Sequence, residues 1–129
     1  MASENMVGTS PMSFLAGGTI TKNAALKLSA ANTVVVTTAI TELVIGFAMT
    51  SAVSGQSVDV MTVNGSKVKA VASAAISVGA EVMPNANGAV TTAAGATAVS
   101  CGIANEAAGA AGDIIEVIFR PMVRGPLNA

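Results

Sequence analysis

The chain has 129 residues, 52% hydrophobic but only 2% aromatic, with no His, Trp or Tyr and a formal net charge of −1. This length fits one domain, and the lack of His removes Ser-His-Asp triads, Cys-His pairs and His metal sites. Six scattered Lys and Arg form no basic stripe, and three Phe form no stacking platform, which argues against a nucleic-acid partner.

Taken in chain order, residues 1–18 stand apart. They hold Gly8, Pro11, Gly17 and Gly18 beside isolated Met6, Met12, Phe14 and Leu15, with neither a helical nor a strand period. This composition predicts a flexible N-terminal arm, either a disordered tail or a segment that orders on a partner, with Met12, Phe14 and Leu15 as the binding candidates. A single β domain is expected over 19–129.

Within it, Thr33 to Thr38 is a β-branched run that suits a pleated strand. Leu43-Val44-Ile45 reads as a further strand, ended or bent at Gly46. Val58 to Val63 and Ser66 to Val71 flank Asn64-Gly65, which predicts a hairpin with a type I′ turn. Asn87-Gly88 is expected to turn the chain between Val82-Met83 and Ala89-Val90, and Ile114 to Phe119 is a late strand closed by Pro121. The Ala-rich stretches Ala24 to Ala31 and Ala104 to Ala111 raise a helical alternative. In the second, Gly109, Gly112 and the lack of an apolar stripe favour a loop or short turn. Short strands separated by turn signals predict an all-β fold, a small barrel or sandwich.

The chain also echoes itself. A shift of 56 places Ile20 on Ile76, Leu26 on Val82, Val34 on Val90 and Gly46 on Gly102. One inserted residue later, Gly55 meets Gly112, Val58 meets Ile115 and Val60 meets Val117. An internal repeat over approximately 19–63 and 75–120 is expected, two similar β-units packed on each other. A core of mainly Ala and Val grows by small increments of burial, which predicts further burial between subunits in a homo-oligomer or by assembly on a larger body.

Chemistry-bearing residues are sparse. Cys101 lies in an apolar strand-like setting and reads as a buried structural thiol. Asp59 and Glu116 are matched by the repeat, each between branched apolar residues, as on the outward face of a strand. Asp113 and Glu116 would point to opposite faces. Gly109 to Gly112 precedes no Lys-Ser/Thr and is no phosphate loop. No enzyme activity, cofactor or metal is expected. The longest apolar run, Leu43 to Met49, is too short for a spanning helix. No secretory signal is evident, so no membrane partner is expected and synthesis in a reducing cytoplasm is.

The second half carries a family likeness. Ala75-Ile76-Ser77-Val78-Gly79-Ala80-Glu81-Val82 is followed by Asn85-Ala86-Asn87-Gly88-Ala89-Val90, then Gly102-Ile103-Ala104-Asn105-Glu106-Ala107 and Ala110-Ala111-Gly112-Asp113-Ile114-Ile115-Glu116-Val117. This order resembles the small head decoration (cement) proteins of tailed bacteriophages, in the group often labelled recombinase-like phage protein. The likeness covers roughly residues 70–120 and, through the repeat, 19–63. It implies a β-rich capsid accessory protein, a homotrimer bound to the major capsid protein on the outside of the virion head. The nucleotide-binding motif that the recombinase label would need is absent. The alternatives are a neck, fibre or baseplate module, or a small carbohydrate-binding β-module. The last would want aromatic faces that this chain lacks.

Overall fold

A computed structural model describes residues 11–95 and 98–120. The first half contains Met12–Ala16 (β1), Ala25–Ala30 (β2), Thr33–Val36 (β3), Gly46–Ala48 (β4) and Ser57–Met61 (β5). They form a closed barrel in the order β1-β3-β2-β4-β5. The second half contains Lys67–Val71 (β6), Glu81–Pro84 (β7), Val90–Thr92 (β8), Gly102–Ala104 (β9) and Ile114–Phe119 (β10), in one sheet of order β6-β10-β9-β7-β8. The fold is thus all-β, with a single 3-10 turn at Ala86–Gly88 among the described residues. No helix there is long and apolar enough to cross a membrane.

Alternation explains the strands. In β5 Val58 and Val60 are buried while Ser57 and Asp59 are exposed. In β10 Ile115, Val117 and Phe119 are buried while Glu116 and Ile118 are half-buried on the other face.

The two halves use corresponding bonds. Ile20 bridges Ala52, and Ile76 bridges Ala108. The Ala16 N–H donates to Gln56 O and the Ala72 N–H to Asp113 O, each at 2.8 Å. The first barrel closes where β1 runs parallel to β3, at Ala16 and Val34. The second sheet has one parallel bridge at the matching place, Ala72 to Val90. The matching bonds begin at β1 and β6, earlier than the repeat bounds expected at residues 19 and 75.

Gly46 and Gly102 show why glycine recurs. A Cβ on Gly102 would lie 2.5 Å from Ile118 O and 2.7 Å from Val117 Cγ1. One on Gly46 would strike Met61 O and Val60 Cγ1. Each glycine lets a short strand lie close beside the last strand of its half, its antiparallel partner.

Three expectations are corrected. Leu43-Val44-Ile45 is not a strand, and Gly46 opens β4 rather than ending a strand. The preceding turn is tied by the Glu42 carboxylate, which accepts from the Thr38 and Ala39 N–H groups at 2.6 and 3.2 Å. Asn64-Gly65 is a turn, with the Ser66 N–H on Val63 O at 3.1 Å and Gly65 at φ 92°, but it makes no hairpin. β5 pairs with β1 and β4, and β6 with β10, so this turn links the two halves. The third correction concerns the arm expected over 1–18. Residues 1–10 lie outside the described residues, but Met12–Ala16 is a barrel strand paired with β3 and β5. Pro121 also lies outside the described residues. Of the Ala-rich stretches, Ala25–Ala30 is strand.

Candidate docking surface

The three binding candidates share β1 and split between its faces. Ala16 is buried inside the barrel and Phe14 packs against that core. Met12 continues the same inner file but is 54% exposed, because it stands at the barrel rim. Leu15 faces outward, 44% exposed, with Thr33 and Ser57 as its strand partners. A fourth apolar residue joins Met12 and Phe14. Leu26 is fully buried, so Leu28, two residues on, follows the same inward file; it is 52% exposed where β2 ends. By register, Met12 and Leu28 stand at one end of the barrel, an open mouth. The spacing of Leu26 and Leu28 carried this signal in the sequence, but the rim is defined only by pairing with β3.

The equivalent mouth in the second half is covered. Val68, Ala70 and Pro84 stand 56 positions after Met12, Phe14 and Leu28, and all are buried. Val68 and Ala70 share a core with the outer wall of the first barrel. Ala25, Phe47 and Met61 point away from their own barrel and join the core of the second half. Phe47 meets Phe119 edge to face, ring centroids 5.7 Å apart at 83°. The turn between β7 and β8 completes the seam. The Gly88 N–H donates to Thr37 O and the Thr37 hydroxyl to Asn85 O, both at 3.0 Å. Gly88 has φ 74°, and a Cβ there would lie 2.7 Å from the Cβ of Ala24. This glycine is required twice, by backbone angle and by proximity.

The carboxylates of Glu42, Glu106 and Asp113 fasten the scaffold. Asp113 Oδ2 accepts from the Gly109 and Ala110 N–H groups at 2.8 and 3.2 Å, and Gln56 Oε1 accepts from the Val53 N–H at the matching turn. Glu106 Oε1 accepts from the Glu116 N–H, as Thr50 Oγ1 does from the Asp59 N–H. Partial burial acts to raise the pKa of Glu42, but hydrogen bonds from Lys27, Thr38 and Ala39 outweigh it and bring it down to about 2. Burial pushes the Cys101 thiol up to about 12, so it is held as an inert thiol. Among the described residues no three His, Cys, Asp or Glu side chains gather as metal ligands. A cleft of about 470 Å³ along the seam is lined, among the described residues, by Lys22 as its one titratable group, beside Thr21, Ser73, Asn85 and Asn87. What this surface offers is apolar contact at the mouth and at Leu15.

Comparison with known proteins adds the family. A family model described as phage cement protein matches residues 16–119. Among solved structures, the head fiber gp8.5 N base of bacteriophage phi29 is similar, with a TM-score of 0.68 at 14% identity over 88% of this chain and 97% of that one. This likeness is one of fold. No curated protein sequence matches.

Proposed function

Because the chain belongs to the phage cement protein family, whose members are structural proteins of the phage capsid, we propose that it binds the outer surface of the phage head as a homotrimer and stabilises the shell without catalysis. The family match over most of the chain carries this reading. Physical features support it. The carboxylates of Glu42, Glu106 and Asp113 act as turn and strand fasteners. The low charge and the exposed Leu15, Met12 and Leu28 suit contact with a protein surface. Symmetry multiplies each such contact into avidity.

Leu15 is the proposed anchor on the shell, since it alone of the three β1 candidates stands on the barrel's outer wall. Burying one leucine is worth about 1.5–3 kcal/mol, or roughly 10- to 100-fold in affinity per site. The test uses purified heads stripped of this protein. The wild-type chain should rebind in amounts comparable to the major capsid protein, and Leu15→Asp should rebind at least about tenfold more weakly. Scarcity on purified virions would indicate a tail or neck part instead. Undiminished binding by Leu15→Asp would remove this anchor.

A further inference from the structure

The open mouth of the first barrel has a counterpart within the same chain. In the second half the equivalent mouth sits on a wall made of Ala25, Phe47 and Met61. The wall equivalent to that one, on the second half, consists of Glu81, Ile103 and Ile118, at the same strand positions of β7, β9 and β10. Glu81 pairs with Ile103, and Ile103 with Ile118, as Ala25 pairs with Phe47 and Phe47 with Met61. Ala25, Phe47 and Met61 are buried beneath the second half; Ile103 and Ile118 are only half-buried and Glu81 is exposed. Among the described residues, then, one mouth sits on one wall, while the other mouth is exposed at Met12 and Leu28 and the other wall is only half-buried at Ile103 and Ile118.

We propose that the mouth of the first barrel, Met12, Phe14 and Leu28, seats on the half-buried outer face of the second sheet, at Ile103 and Ile118, of a second copy of this chain. The contact would continue between subunits the packing the two halves already use. The partner is identified by that precedent: in the same molecule the residues at the matching positions of the second half are buried, and Val68 and Ala70 share their core with a wall of this strand pairing. Such a contact is head-to-tail, so it forms a closed ring when its rotation divides the circle and an open line when it does not. The inference rests on the homo-oligomer reading above and specifies its interface.

Light scattering on the full-length chain tests it. Leu28→Asp alters the mouth and Ile103→Asp the wall, both away from buried positions; circular dichroism checks that each variant folds, with Met12→Asp and Ile118→Asp as second choices. The wild type should be an oligomer, and each variant alone should fall to the monomer mass. An equimolar mixture should recover a species of about twice the monomer mass, since the intact wall of the first variant accepts the intact mouth of the second, and only a head-to-tail contact predicts this pairing. A wild-type monomer at high concentration would overturn both this interface and the homo-oligomer reading. A variant that stays oligomeric would overturn the interface alone. If Leu28→Asp stays oligomeric but no longer binds stripped heads, the mouth belongs to the shell and the proposal fails. If the mixed variants form no dimer, the head-to-tail geometry fails.

Discussion

Phe47→Ala should test whether the two halves share one core. Phe47 is 1% exposed and belongs by sequence to the first barrel, yet its ring lies in the core of the second half against Phe119. Removing a buried Phe costs about 3–5 kcal/mol, a large share of the ~5–15 kcal/mol that holds a domain together. With a urea slope of about 1.5 kcal/mol/M, a loss of about 4 kcal/mol moves the midpoint by roughly 2–3 M. The edge-to-face pairing adds about 0.5–1.5 kcal/mol beyond area burial, so Phe47→Ala and Phe119→Ala should be non-additive by about that much in a double-mutant cycle. The chain has no Trp or Tyr, so far-UV circular dichroism is the appropriate probe. A loss below about 1 kcal/mol for Phe47→Ala would refute the shared core. So would full additivity of the two substitutions.

Three further outcomes are expected. Gly46→Ala and Gly102→Ala should each destabilise by about 1–3 kcal/mol, because the methyl has only backbone carbonyl and a packed valine to displace; thermal melts with Gly18→Ala, where a Cβ meets nothing within 4 Å, supply the control. Glu42 has a folded pKa of about 2 against an ordinary 4.5, so the folded form binds fewer protons than the unfolded one between those values. Its contribution is complete above pH 4.5 and is lost as the pH falls toward 2. The shift corresponds to at most about 3 kcal/mol, reduced by solvent screening to ~1–2, and Glu42→Gln should flatten the melting temperature over that pH range. Cys101 should resist alkylation at pH 8 in the native protein and react freely in denaturant; rapid native labelling would contradict its burial.

Much of the strand content was legible because β-branched runs and inward alternation are local: β3, β5, β6 and β10 fall on the runs read from Thr33, Val58, Ser66 and Ile114. Asn87-Gly88 turns between β7 and β8 as expected, with both residues at positive φ. Asn64-Gly65 misled because a turn signal does not say which strands pair. β5 and β6 find better partners far along the chain, in β1 and β10. β1 escaped notice because its inner file runs from a buried Ala16 to an exposed Met12, so no clean alternation is visible. The fastening roles at Thr50 and Glu106, and at Gln56 and Asp113, were hidden because a backbone N–H can donate to any side-chain oxygen in reach, and the residue types differ.

Where the two halves agree and where they differ separates scaffold from contact surface. Ile20 and Ile76, Gly46 and Gly102, Val60 and Val117 agree, and all are buried inside their own half. Ala25 and Glu81, Phe47 and Ile103, Met61 and Ile118 differ, and in each pair the first lies in the seam while the second faces outward. The difference should be transferable in one direction only. Ala25→Glu would place a carboxylate at a position that is 0% exposed beneath the second half, and should cost several kcal/mol or abolish folding. Glu81→Ala should change stability by no more than about 1 kcal/mol, since its side chain is exposed. Chemical denaturation of the two variants decides this. If Ala25→Glu were as stable as the wild type, the seam would be open to water and the closed mouth of the second half could not serve as a template for the open mouth of the first.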